Sequence, residues 1–130
     1  MTDRLSVVCA LDEIPSRRAV GIVLARLEDD GREVPWPVVL VRWGRRVIGY
    51  HNRCPHGGVA LDWERGQFLD PHYGTRLMCG KHGALFNLAD GLCVDGPCRG
   101  ERLEPVPLAV VDGDVCVVGV PLALDEELPG

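Results

Sequence analysis

Residues 54–86, CPHGGVALDWERGQFLDPHYGTRLMCGKHGALF, contain two short arms that each pair a cysteine with a histidine: Cys54-Pro55-His56 and Cys79-Gly80-Lys81-His82. Each arm offers one thiolate and one imidazole. That donor mixture suits soft metals, a structural zinc among them. It is also what a two-iron cluster with unlike irons requires, two sulfurs on one iron and two nitrogens on the other. Residues 57–78 separate the arms, so the ligand pairs meet only as facing loops. Pro55, Gly57, Gly58, Gly80 and Gly83 surround them. Such residues let a backbone turn tightly and bring its N–H groups close to an anionic ligand.

Outward from these arms the chain reads as short strands. Residues 6–11 and 19–27 gather β-branched and aliphatic side chains between polar punctuation, with a loop or single helical turn at 12–18 around Pro15. Residues 28–37 hold the Asp30-Gly31 turn pair and prolines on both sides of Trp36, which predicts an extended hairpin connection. Runs at 37–43 and 46–51, split by Gly44-Arg45, predict a tight hairpin that delivers Cys54 on the loop leaving its second strand. Short strands are expected at 77–78 and 84–88, either side of the second arm. A closing hairpin is expected from 106–111 and 115–120 across Asp112-Gly113. No helical stripe runs for a dozen residues, and turn signals recur every eight to twelve. The expected fold class is all-β, an antiparallel sandwich or barrel.

A chain of 130 residues is one domain's worth, long enough to bury about two thirds of its unfolded surface. The reading is a single domain over 1–130. The net charge of −5 argues against a nucleic-acid partner, since phosphate binding needs clustered Lys and Arg. An acidic carrier that docks on a basic partner fits it. The N-terminal MTDRLSVVCALDEIPSRR lacks the apolar core of a signal peptide, and no stretch approaches the length of a membrane span. A cytoplasmic location and no membrane partner are the expectations.

Six cysteines in a reducing compartment argue against a disulfide framework, and metal ligation is the reading for the two beside histidines, Cys54 and Cys79. Cys9 and Cys116 lie in strand-like runs and are expected to be small buried hydrophobes. Cys93 and Cys98 lie outside both arms and are read as packing residues, with redox pairing the alternative. His51 and His72 are expected to be ordinary strand or loop residues, and Trp36, Trp43 and Trp63 core or rim aromatics. Arg53, Arg76 and Lys81 flank the arms, where they either shape a docking face or are simply solvated.

The arms and the residues after them resemble the Rieske 2Fe-2S proteins: Cys54-x-His56, Cys79-x-x-His82-Gly83, Phe86, the turn at Gly91, and Gly96-Pro97. Leu103, Pro105-Val106 and the Asp112-Gly113 hairpin resemble the closing strands of that family. The resemblance implies an antiparallel β-sandwich with a small cluster-binding subdomain of loops and short strands at about 52–98. It implies a Rieske-type 2Fe-2S cofactor, with Cys54 and Cys79 on the inner iron and His56 and His82 on the outer, more exposed one. The imidazoles would be the electron's exit, and Pro97 would lie on the loop that covers the cluster.

High-potential members of the family carry an extra cysteine in each arm, joined as a disulfide, and a serine and tyrosine that donate to the cluster. Here Val59, Lys81, Ala84 and Phe86 stand at those positions. Fewer donors stabilise the reduced state less, so the expected potential is near the low end of the Rieske range, about −150 mV. The resemblance implies an electron carrier of the soluble ferredoxin branch, not itself an enzyme, that takes one electron from a flavin reductase and passes it to an oxygenase. A small Rieske subunit of a larger redox enzyme, such as nitrite reductase, is the alternative. The sequence argues against a stand-alone oxygenase: once His56 and His82 are set aside, the chain offers neither two histidines and a carboxylate in a plausible arrangement nor the length for a mononuclear iron site.

Overall fold

Val38, Val39, Leu40 and Val41 are consecutive and all buried, so this strand is covered on both of its faces. The computed structural model describes residues 5–55, 58–62, 67–71, 74–80 and 83–123. Its strands are β1 (Leu5–Ala10), β2 (Arg18–Leu27), β3 (Glu33–Trp43), β4 (Arg46–His51), β5 (Arg76–Met78), β6 (Leu85–Asn87), β7 (Cys93–Asp95), β8 (Pro105–Val106), β9 (Leu108–Val111) and β10 (Asp114–Val118). One turn of 3-10 helix at Leu11–Glu13 follows β1. The three sheets run β1-β10-β9, β2-β3-β4-β8 and β5-β6-β7, with every pairing antiparallel. The expected all-β antiparallel architecture is the observed one. No helix of the described residues is long and apolar enough to cross a membrane.

The four-stranded sheet is the middle layer. On one face Trp36, Val38, Leu40 and Val106 pack with Val115 and Val117 of β10, and with Ile14 and Leu122. On the other, Val39, Val41 and Tyr50 pack with Leu77, Phe86 and Cys93 of the third sheet and with Cys54 and Cys79. Alternation along β3 thus feeds two cores at once. The third sheet is also seated through Phe68, whose ring lies where a Cβ on Gly21 of β2 would be, 2.8 Å from Phe68 Cζ. Phe68 O in turn accepts from Met78 N–H of β5 at 2.7 Å.

Three details depart from the expectations. Pro35 and Pro37 lie inside β3, paired with Ala25 and Val23, rather than in a connection. Pro37 O accepts from Asn52 N–H at 2.9 Å, so its nitrogen also faces the β4 side, beyond the last β4 pair at Val38 and His51. A missing N–H is tolerated there because the ladder has ended. The run at 106–111 is two strands, not one: Pro107 divides β8, in the middle sheet, from β9, which pairs with β10. Gly49 lets β9 cross close, since a Cβ there would meet Leu108 Cδ1 at 2.8 Å. Finally, Cys93–Asp95 forms β7, a strand for which the sequence reading carries no expectation. The closing turn behaves as its sequence dictates: Asp112 and Gly113 both have positive φ, 50° and 81°, as a two-residue hairpin turn demands.

Candidate metal centre

β4 ends at His51, and the first arm begins three residues later. Cys54 N–H donates to Val59 O at 2.7 Å, and Gly58 N–H donates back to Cys54 O at 2.8 Å. The second arm, between β5 and β6, repeats this: Cys79 N–H donates to Ala84 O at 2.9 Å, and Gly83 N–H to Cys79 O at 2.9 Å. Each cysteine therefore opens a loop closed by bonds from residues four and five positions on. Each loop turns on a left-handed glycine, Gly58 at φ 69° and Gly83 at φ 70°, a conformation that side chains with a Cβ disfavour. Cys-x-His and Cys-x-x-His are different spacings set in matching loops.

The two loops are tied together. Gly80 N–H donates to Leu61 O at 2.8 Å, and Leu61 N–H donates to Asn52 Oδ1 at 2.7 Å. Asn52 Nδ2 reaches Asp62 Oδ1 at 3.3 Å, while its backbone N–H holds Pro37 O. One asparagine thus links the middle sheet, the first arm and, through Leu61, the second. Nothing in the sequence marks Asn52 for this role except its place just after a strand.

Cys54 and Cys79 are both 0 % exposed and share one apolar cluster with Leu61, Ala84 and Phe86. Neither is in a disulfide. His56 and His82 lie outside the described residues, as do Lys81, Trp63 and His72. Among the described residues no three Cys, His, Asp or Glu side chains gather as a metal site would need. The structure therefore brings together the sulfur half of the predicted donor set. That half fits an iron–sulfur group: two buried thiols in an apolar shell, each at the mouth of a glycine-closed loop.

The surroundings account for the remaining candidates. Gly96, at φ 101°, lies on the second arm so closely that a Cβ would be 2.7 Å from Ala84 Cα. The expected covering turn is thus packed on that arm. Arg53 is exposed, and its guanidinium lies over Gly58, 3.3 Å from where a Cβ would be. Tyr50 O–H donates to Leu88 O at 2.7 Å. Burial, with a smaller contribution from Asp90, pushes its phenol up to about 12. His51 Nδ1 sits 3.5 Å from Glu104 Oε2 at the sheet edge. Trp36 is a core residue as expected, with Arg26 over its ring at 5.4 Å. Cys116 is buried, but Cys9 is only half-buried. Burial raises both thiols.

Comparison with known structures agrees with this geometry. The chain is 26% identical to a chain from the complex of reduced oxygenase and oxidized ferredoxin in carbazole 1,9a-dioxygenase, with 93% of this chain and 97% of that one covered and a TM-score of 0.64. It is 21% identical to the ferredoxin of carbazole 1,9a-dioxygenase from Nocardioides aromaticivorans IC177, covering 90% and 97% at a TM-score of 0.65. The same fold recurs inside longer chains: for the terminal oxygenase of carbazole 1,9a-dioxygenase from Novosphingobium sp. KA1, identity is 20%, coverage 98% of this chain and 32% of that one, and the TM-score 0.68. No curated protein sequence matches. A family model described as the Rieske [2Fe-2S] domain matches residues 5–117, and the chain belongs to that family, whose cofactor is a Rieske-type 2Fe-2S cluster.

Proposed function

We propose that this protein is a Rieske-type ferredoxin that accepts one electron from a flavin reductase and delivers it to an oxygenase, acting as a component of that system and not as an enzyme by itself. The observation that carries this reading is the pair of matching loops that bury Cys54 and Cys79 in one apolar cluster. The 26% identity over nearly the full length of a chain from an oxygenase–ferredoxin complex supports the partner.

In this reading Cys54 and Cys79 hold the cluster as thiolates and His56 and His82 hold it as imidazoles. The cluster supplies one-electron chemistry at a potential raised above that of an all-cysteine centre, because two ligands are neutral. The chain supplies the rest. Leu61, Ala84 and Phe86 keep water from the sulfur side. Gly58 and Gly83 close the loops, and Asn52 fixes the arms to each other and to the middle sheet. Residues of about 52–98 act as the cluster-binding subdomain of one domain.

The test is an electronic spectrum with low-temperature EPR, before and after dithionite. The expected result is a coloured oxidised protein and a rhombic signal with g values averaging below the free-electron value on reduction. A colourless protein containing zinc would sink the reading. The His82→Ala protein is expected to hold no stable cluster, and an unchanged spectrum would remove His82 from the ligand set.

A further inference from the structure

Cys93 and Cys98 play no part in the proposed ligand set, yet their sulfurs touch. Cys98 Sγ–H donates to Cys93 Sγ at 3.0 Å, and Cys93 Sγ–H in turn faces Asp95 O at 3.2 Å. The two side chains are 1 % and 2 % exposed and belong to the apolar cluster that holds Cys54 and Cys79. The backbone enforces the contact. Cys93 N–H donates to Glu101 O at 2.8 Å and Gly100 N–H to Cys93 O at 3.1 Å, so residues 94–99 form a closed turn that returns Cys98 over Cys93. Glu101 N–H to Cys98 O, 2.9 Å, fixes its far side. A disulfide needs about 2.05 Å between sulfurs, so bond formation asks for an approach of about 1 Å. Cys93 is on β7 and Cys98 is in the turn, so the turn side of the pair is free to supply that approach.

We infer that Cys93 and Cys98 form a reversible dithiol–disulfide pair, oxidised by a low-molecular-weight disulfide, that staples the turn lying on the second ligand arm. The exchange balances as a two-electron step. One cysteine sulfur attacks the small disulfide, breaking its S–S bond and releasing one small thiol. The second cysteine sulfur then attacks the mixed disulfide, forming the Cys93–Cys98 bond and releasing the other small thiol. The two cysteine protons end on the two released thiols. The bond acts on the arm because Gly96 sits between the two cysteines, against the Ala84 backbone. Closing this short loop restricts the opening of the turn that covers Ala84 and, behind it, Cys79. Because both sulfurs are buried, exchange waits on that same opening. The turn residues Gly96, Pro97, Arg99 and Gly100, which follow β7, are all exposed and belong to no strand, so the turn opens more readily than the sheet beside it.

The experiment equilibrates the cluster-loaded protein in glutathione buffers of graded oxidised-to-reduced ratio, traps thiols with an alkylating agent, and reads intact and peptide masses. The expected product has lost about 2 Da, carries no glutathione, links Cys93 to Cys98, and retains the visible spectrum of the cluster. Its fraction follows a two-electron dependence on the buffer ratio, and exchange is faster in mild urea. Release of iron to a chelator is expected to be severalfold slower from the oxidised form. The Cys98→Ser protein is expected to lose both the linkage and this difference. Absence of the linkage even in fully oxidised buffer with mild urea would overturn the pair. A linkage with equal iron release in both forms would overturn the staple. Neither result depends on which partner accepts the cluster's electron.

Discussion

At residue scale the site depends on close backbone approaches as much as on its donors. Gly96 is the tightest of these: its φ of 101° disfavours any side chain, and the Cβ of an alanine would lie 2.7 Å from Ala84 Cα, a backbone atom that cannot rotate aside. Gly96→Ala is therefore expected to destabilise the protein by about 2 kcal/mol or more, and to lower the cluster content per chain. Denaturant unfolding and the ratio of visible to protein absorbance check it; an unchanged ratio would show that the turn does not support the arm. Tyr50 gives a prediction with a sign. Burial pushes its phenol up to about 12 in the folded protein from an ordinary value of 10. Between these values the unfolded chain has lost the proton and the folded one keeps it, so the folded state binds more protons. Its contribution to stability is full below pH 10 and is lost as pH rises through 12. Tyr50→Phe is expected to lose about 1 kcal/mol at neutral pH, through the unpaired Leu88 carbonyl. It should also show a shallower fall in urea midpoint from pH 10 to 12. Parallel slopes in the two proteins would count against the burial argument.

Among the elements, Asn52 is the joint between the middle sheet and the two arms. Asn52→Ala removes the acceptor for Leu61 N–H and the donor to Asp62, and with Leu61 loosened, the Gly80 bond that ties in the second arm weakens. The expected cost is about 1–3 kcal/mol, because a buried N–H is left without its partner. Faster iron loss to a chelator should accompany it. Stability reduced with iron loss unchanged would mean that Asn52 serves the fold and not the arms. The same local physics decides how much was legible. The β3–β4 and β9–β10 hairpins were readable because their turns are encoded by Gly44-Arg45 and Asp112-Gly113, within a few residues. The division at Pro107 was not, because an apolar run broken by one proline does not say that its halves join different sheets. β7 was hidden for a similar reason: it is three residues long and leans on pairing with β6. The cysteines of the arms stood out by spacing, whereas the matched loop closures, the Asn52 joint and the Cys93–Cys98 contact are long-range or backbone features that spacing does not carry.

For the molecule as a whole, the open quantity is the potential at which it delivers an electron, and three features push it the same way. The positions where a serine and a tyrosine hydroxyl would donate to the cluster hold Ala84 and Phe86, both fully buried, so no hydroxyl reaches the site from either. The nearest buried phenol on the same core, Tyr50, spends its proton on Leu88 O instead. The net charge of −5 opposes the extra negative charge that reduction brings. Each of these leaves the reduced state less stabilised than it would be with donors present, since hydrogen bonds to the sulfurs and net charge set the potential within a cluster type. The expected midpoint is near the low end of the Rieske range, about −150 mV. Protein-film voltammetry measures it directly. A value well above zero would mean that backbone amides of the two arms, and not side-chain hydroxyls, dominate the stabilisation of the reduced cluster. Gly96→Ala would then be expected to lower the potential by displacing the second arm, whereas under the hydroxyl account its remaining cluster keeps the wild-type value.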